Sequence, residues 1–365
     1  MKPDPGLASW LQLTLTPGLG ASTLRNLLRQ FGLPDAVLAQ KRSDLAAHLS
    51  SATLEALDST RVRELAARAL DWAAAERHHI VTLADETYPR ALLETSDPPG
   101  LLYVHGRLEL LRTPALAIVG SRNASAQGES NAWQFAKVLS EAGLTIVSGL
   151  ALGIDAAAHR GGLAGPGSTV AVLGTGIDVV YPTRNAELAA QIAEKGALVS
   201  EFALGTPAIA HNFPRRNRLI SGLARGCLVV EAALPSGSLI TARLAADQGR
   251  DVYAIPGSIH SPLSKGCHAL IKTGAKLVES ADDVLSELGG FRPSGSADTS
   301  VAPAVADGGL LAVMGHDPVD VDSLCTRAGL TAEQVAAELL RLELDGQVTA
   351  LPGGLYQRLE KAHRG

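Results

Sequence analysis

The chain has 365 residues and is poor in several things at once. It holds only three cysteines, Cys227, Cys267 and Cys325, far apart and with no Cys-x-x-Cys or Cys/His pairing. That excludes a disulfide framework, argues against a zinc or other metal site, and fits a reducing compartment. No apolar run reaches membrane-spanning length, and the opening MKPDPGLASWLQL lacks the basic-then-apolar order of a signal peptide. The sequence therefore reads as cytosolic, with no membrane partner. Positive charge is not in excess either: 32 Lys and Arg face 37 Asp and Glu, for a formal net charge of −5. A basic surface normally supplies much of a nucleic-acid binder's affinity, so any anion site here has to be local.

What is present describes a well-packed globular chain, 46% hydrophobic and 19% charged. Residues 1–78 read as a helical domain of SAM/helix-hairpin-helix-like type. Leu24, Leu27, Leu28 and Phe31 recur at helical spacing, and a second helix is expected over Arg61–Glu76. The turn Pro17-Gly18-Leu19-Gly20 is open to two readings, a phosphate-holding helix start or a plain tight turn between packed helices. Residues 79–113 read as short strands and loops (HIVTL, YPRALL, LLYVHG) leading onto a larger sheet. From Pro114 short apolar runs alternate with helical stretches, and strands are expected at 115–120, 144–149, 168–174, 197–202, 227–232, 251–257 and 275–278. Continuous β-branched runs of this kind belong to strands covered on both faces by crossover helices. The fold class is thus α/β, an extended Rossmann-like, doubly wound and mostly parallel sheet over 79–290. The Ser/Ala/Pro/Gly-rich stretch 291–309 reads as a linker, and 310–365 as a winged helix with a turn at Gly329 and a hairpin at Pro352-Gly353-Gly354.

In open α/β sheets ligands bind outside the carboxyl ends of the strands. Here those ends run into small residues: Gly120-Ser121-Arg122, Ser148-Gly149, Gly174-Thr175-Gly176, Ser236-Gly237-Ser238 and Pro256-Gly257. Glycines let a backbone approach a ligand, and helix starts aim free N–H groups at anions, so an anion groove is expected. A dinucleotide is not the expected occupant. The first strand is followed by GSRNASAQG rather than G-x-G-x-x-G, and no acidic residue closes the second. The richest segment is His211-Asn212-Phe213-Pro214-Arg215-Arg216-Asn217-Arg218-Leu219-Ile220-Ser221-Gly222-Leu223. Planar guanidiniums suit phosphate oxygens, and Phe213 could support a base in a single strand. For Arg215 a solvated ion pair is an equal reading, whereas Arg216 and Arg218 are expected to hold phosphate. Asp155 and His159, one helical turn apart, make too small a set for a metal. Glu231 stays open between general acid/base, helix cap and partner for Arg216 or Arg218.

Several longer stretches carry a resemblance: GSR (120–122), SGLALGIDAAAHRGGL (148–163), TVAVLGTGIDVVYPTRN (169–185), NFPRRNRLISGL (212–223), SGSLITARLAADQGRDVYAIPG (236–257) and GCHALIKTGA (266–275). They resemble the DprA/Smf family of DNA-processing proteins of natural transformation, and the likeness runs almost without gaps through 114–280. It implies a dimeric protein, paired through its Rossmann-like domain, that coats single-stranded DNA and helps load the RecA recombinase. It implies DNA contacts at Gly120, Ser121, Arg122, Phe213, Arg216, Asn217, Arg218, Ser221 and Gly222, with Lys265 and Lys272 as further candidates. Ser148, Gly149, Gly174 and Gly257 are added from the strand ends. No cofactor is expected. The domain is also similar to the LOG-type nucleotide phosphoribohydrolases and to molybdenum-cofactor carriers, which makes a nucleoside-monophosphate enzyme the alternative. The closing glutamate of their PGGxGTxxE segment is missing from Pro235–Thr241, which weakens a hydrolase reading. In the winged helix, nine acidic residues between 306 and 360 face three arginines. A helix of that balance is repelled by phosphates, so a protein contact is expected rather than duplex DNA.

Overall fold

The computed structural model describes residues 5–289, 309–315 and 318–359. At its centre lies a nine-stranded sheet. Its strands are β1 (His78–Thr82), β2 (Leu101–Gly106), β3 (Ala115–Val119), β4 (Thr145–Ser148), β5 (Thr169–Val172), β6 (Ala197–Ser200), β7 (Gly226–Val229), β8 (Asp251–Ala254) and β9 (Lys276–Leu277). They are ordered β1-β2-β6-β5-β4-β3-β7-β8-β9. From β6 to β9 every pairing is parallel; β2 joins β6, and β1 joins β2, in antiparallel register. The chain winds outward from β3 in one direction through β4, and later from β7 in the other through β8. The crevice between the ends of β3 and β7 is therefore the topological switch point.

Every residue of β3, β4, β5, β6 and β7 is buried. Side chains alternate across the pleat, so Ala117 and Val119 of β3 enter one core while Leu116 and Ile118 enter the other. Each large aliphatic side chain buried in this way contributes roughly 1.5–3 kcal/mol. Helices Ala126–Glu141 and Ile154–Leu163 pack together on the Leu116/Ile118 face. Helices Asn212–Leu223 and Gly237–Asp247 cover the opposite face through Leu219, Ile220, Leu223, Leu239 and Ala242.

The amino-terminal helices share this core: Leu11, Ala66 and Ala69 cluster with Leu101 and Tyr103 of β2. Around them the chain forms more short helices than its pattern predicts, Pro34–Leu38, Arg42–Leu45 and Ser51–Leu57 among them. Gly18, in the Pro17–Gly20 turn, holds φ +82° and packs on Thr53, and Gly20 starts the helix Ala21–Phe31. One expectation is corrected within 79–113. YPRALL is not a strand: Pro89 leads into a single helical turn, Arg90–Leu93, whose Leu92 plugs the core beside Leu219 and Ile220.

The proposed linker, 291–309, lies outside the described residues except for Gly309. Beyond it stands a winged helix, with helices Leu310–Met314, Val321–Ala328 and Ala332–Leu344 against the small sheet β10 (Val319–Asp320), β12 (Leu355–Arg358), β11 (Val348–Leu351). Gly329, in the left-handed region at φ +66°, ends the second of these helices. No helix among the described residues is long and apolar enough to cross a membrane.

Candidate nucleic-acid interface

A cleft of about 720 Å³ opens at the switch point. One wall is the turn after β3, another the start of helix Asn212–Leu223, and a third the start of helix Gly237–Asp247. The first wall is held from behind. The Ser121 amide donates to the carbonyl of Glu231 at 2.7 Å, and the Ile154 amide donates to the carbonyl of Ser121 at 3.1 Å. The Glu231 carboxylate accepts from the Ser125 amide at 2.9 Å and from its hydroxyl at 2.5 Å, capping helix Ala126–Glu141. Burial raises the Glu231 carboxyl, and the bonds from Ser125 oppose that rise. Of the three roles open for Glu231, the geometry assigns the helix cap. It does not reach Arg216 or Arg218.

Six of the expected contacts line the cleft: Gly120, Ser121, Arg122, Phe213, Arg216 and Asn217. They are not equivalent. Arg122 is exposed, with its guanidinium 5.8 Å from the centre of the Phe213 ring. Arg216 is 4% exposed and donates through Nη1 to the carbonyl of Gly149 at 2.6 Å and to that of Val172. A Cβ on Gly149 would stand 2.6 Å from the same nitrogen, so this guanidinium needs a glycine opposite it. Asp155 lies close by, accepting from the amides of Gly149 at 3.1 Å and Ala151 at 3.3 Å. Burial raises the Asp155 carboxyl, and the Arg216 charge pulls it back; burial pushes Arg216 down to about 10. The floor of the cleft thus carries a fixed buried cation, and Arg122 adds a second, exposed one.

The remaining expected contacts lie elsewhere. Ser148 and Ser221 are buried, their hydroxyls bonded to the carbonyl of Ile118 and to carbonyls within their own helix. Gly222 faces Leu92 and Thr95 on the core side of its helix, and Gly257 faces Ser264. Gly149 and Gly174 serve as space for Arg216 and Phe213 rather than as open backbone. Arg218 pairs with Glu201 at 2.6 Å and with Asp97, behind the wall. For Ser148, Gly149, Gly174, Ser221 and Gly222, all buried, direct contact is therefore corrected to support, because atoms without accessible surface cannot meet a ligand. Arg218 is taken up by its carboxylates, and Gly257 is exposed but does not line the cleft. Lys265 is exposed but bonds its own loop at Ile259, and neither it nor Lys272 lines the cleft.

Sequence reasoning passed over two residues. Glu201, buried and holding both Arg215 (3.0 Å) and Arg218, decides where those two guanidiniums point. Its carboxyl is raised by burial and lowered by its two arginines. Tyr181 stands at the cleft mouth with its ring centre 5.5 Å from that of Phe213. The signals were Ser200-Glu201-Phe202 at the end of one expected strand and Tyr181-Pro182 in the stretch 169–185, visible but not tied to any chemistry.

His159 is fully buried beneath this floor. Its Nε2 accepts the Leu150 amide at 3.2 Å, so the ring proton sits on Nδ1 and donates to Thr169 Oγ1 at 2.7 Å. The Thr169 hydroxyl in turn donates to the Ile146 carbonyl at 2.7 Å. Burial, then repulsion from Arg216 and Arg160, holds the imidazole down at about 3. The unfolded chain binds this proton near pH 6.5, so the stability His159 contributes is present above that pH and is lost as pH falls toward 3. We expect that loss to reach about 1.4 kcal/mol per pH unit within the window. Denaturant titrations between pH 7 and 5 check it: the slope should be shallower in His159→Gln, and identical slopes would refute the assignment. Among the described residues no group of three His, Cys, Asp or Glu is placed to hold a metal ion.

Comparison with known proteins shows the family to which the chain belongs. A family model described as DNA recombination-mediator protein A matches residues 79–289, and one described as the DprA winged helix domain matches 295–354. Protein Smf of Escherichia coli is 46% identical over 302 residues, covering 80% of this chain and 80% of that protein. The DNA processing protein DprA of Streptococcus pneumoniae is 50% identical over 206 residues, 56% of this chain and 73% of that one. Among solved structures, DNA processing protein A of Streptococcus pneumoniae superposes with a TM-score of 0.68 at 38% identity, covering 80% of this chain and 99% of the other. DNA processing protein A of Helicobacter pylori, solved for its single-stranded DNA binding mode, gives 0.53 at 31% identity over 57% of this chain and 95% of the other.

Proposed function

Because the chain belongs to the DNA recombination-mediator protein A family, we propose that it binds single-stranded DNA in the switch-point cleft, without sequence preference, and acts on DNA inside the cell. The observation that carries this reading is the pairing of an exposed guanidinium, Arg122, with a buried one, Arg216, in a chain of net negative charge. Cations gathered at one cleft hold a polyanion locally while the rest of the surface repels it. The open start of helix Gly237–Asp247, with Ser236 capping the Ser238 amide, adds N–H groups and the positive end of a helix dipole. None of these groups reads a base edge, which is why the binding is to backbone and not to sequence.

The protein acts on the strand by holding it, not by chemistry. Glu231, the carboxylate at the β7 end, is spent on its cap. Binding then prepares the strand for RecA recombinase, and a homodimer through the Rossmann-like sheet would place two clefts on one strand. Strand β9, at the end of the sheet with Leu277 44% exposed, leaves an edge on which a second copy can pair. The unit 310–365 serves protein contact rather than duplex DNA: on its third helix, Glu338 and Asp345 engage the single arginine, Arg341.

The test is a titration of the full chain with a labelled oligothymidylate and with a duplex of equal length, each over a range of salt. We expect at least about a tenfold preference for the single strand, ~1.4 kcal/mol. Equal affinities would sink the proposal. Release of free base from nucleoside monophosphates incubated with the protein would move the reading to a phosphoribohydrolase.

A further inference from the structure

Phe213 is the aromatic that the sequence offers for stacking, and its surroundings leave it little free surface. A Cβ on Gly174 would stand 2.7 Å from one ring edge, so this strand end lies directly against the phenyl ring. The guanidinium of Arg122 sits over it at 5.8 Å, and the ring of Tyr181 leans on it at 5.5 Å and 41°. A base that stacked on Phe213 would have to displace one of these. Tyr181 is in the opposite position: it lines the cleft, and 46% of it is exposed.

The loop that carries Tyr181 is nevertheless fixed. Thr175, buried, donates its hydroxyl to the Val179 carbonyl at 2.6 Å, and the Gly176 amide donates to the Thr206 carbonyl at 2.9 Å. On the far side, buried Asn185 donates through Nδ2 to the carbonyls of Leu150 at 2.9 Å and Ala151 at 3.1 Å. Val180, one residue before Tyr181, packs on the core that holds Ile177 and Leu188. A large ring is thus presented to solvent from a loop pinned at both ends. Little rotational freedom is lost when such a ring meets a flat partner, which favours binding.

We propose that Tyr181 is the base-stacking residue of the cleft, with Phe213 as the positioning residue that sets the angle of Tyr181 and the place of Arg122. The inference rests on the single-strand reading above and deepens it. A phosphate held by Arg122 leaves the adjoining base beside Tyr181, where it meets an aromatic face only if it is unpaired. Discrimination against duplex DNA then arises at Tyr181, and phosphate attraction alone does not supply it.

The experiment compares two oligonucleotides of equal length and charge, an oligothymidylate and a strand made entirely of abasic sugar-phosphate units. Each is titrated into the full-length protein, Tyr181→Phe and Tyr181→Ala. Tyr181→Ala should weaken oligothymidylate binding about tenfold, and Tyr181→Phe less than about twofold. On the abasic strand the unsubstituted protein should already be weakened, and Tyr181→Ala should bind it equally well. The inference is overturned if Tyr181→Ala keeps full affinity for oligothymidylate, or loses the same factor on both strands. Failure of the unsubstituted protein to bind either strand would overturn the single-strand reading itself, a distinct outcome. An unchanged thermal midpoint in Tyr181→Ala, as its exposure leads one to expect, shows that the loop has kept its fold.

Discussion

Replacing Arg216 with methionine is expected to destabilise the fold itself rather than merely weaken its grip on DNA. The guanidinium is 4% exposed and bonds the carbonyls of Gly149 and Val172, at the ends of β4 and β5. Its charge also restrains the buried Asp155, which burial already pushes toward its neutral form. Taking the cation away leaves a buried carboxylate with its two amide bonds but no countercharge, and removes the guanidinium bonds to two carbonyls. Removing one partner of a buried charge pair costs about 3–5 kcal/mol. In a cooperative unit of this size that lowers the thermal midpoint by on the order of 10 °C. The variant should also acquire a pH dependence. With Arg216 gone the folded-state pKa of Asp155 rises further above its unfolded value, so the folded state binds a proton the unfolded chain releases. The variant's deficit should therefore be smallest at low pH and grow as pH rises through the folded pKa. Adding Asp155→Asn should recover part of the loss, and the cycle of single and double variants in urea measures the coupling. A normal midpoint in Arg216→Met would mean that the guanidinium faces solvent after all.

This outcome separates what the sequence made legible from what it did not. The parallel sheet was readable because β3 to β7 are buried on both faces, and burial on both faces demands uninterrupted apolar runs. The edge that carries the cleft was readable because the strand ends run into small residues; the strand order that puts the switch point between β3 and β7 is seen only in the structure. The arginines were harder. Arg215, Arg216 and Arg218 follow one another at about 100° per residue around a helix, so they meet three different environments. Arg216 shares its face with Leu219, Ile220 and Leu223, the i, i+3, i+4, i+7 stripe that covers the sheet. That stripe is present in the sequence, yet the residue types alone point Arg216 at phosphate, and it is the structure that puts it indoors at 4% exposure. Nothing in the local pattern could show that Glu201, from the end of β6, would claim Arg215 and Arg218. Nor does a single Tyr-Pro pair announce which aromatic ends up free, because that depends on Gly174 having no side chain beneath Phe213. The turn at YPRALL escaped for a related reason: four helical residues are too few to show a period.

Arg122 is the cation that remains for phosphate, and its removal should change affinity while leaving the fold intact. It is exposed, and no carboxylate among the described residues forms an ion pair with it, whereas Arg215 and Arg218 share Glu201. Its backbone is held by the Ser121 bonds to Glu231 and Ile154, so the side chain starts from a fixed root. Arg122→Ala should melt within a degree or two of the unsubstituted protein. A hydrogen bond to a charged group is worth about 1.5–3 kcal/mol, so binding to any single strand should fall roughly 10- to 100-fold at low salt. The stronger check is the salt dependence. Each phosphate neutralised on a single strand contributes about 0.7 to the slope of log affinity against log salt, so the slope should shrink by about that amount. Arg122→Glu should lose more, because it turns an attraction into a repulsion at the same mouth. Arg215→Ala should do less, since its charge is already shared with a carboxylate 3.0 Å away. A fall in affinity with an unchanged slope would mean that Arg122 acts through Phe213 and Tyr181, as a support for stacking, and touches no phosphate. Titrations of the three variants from low to high salt decide between the two, because stacking is indifferent to salt and a phosphate contact is not.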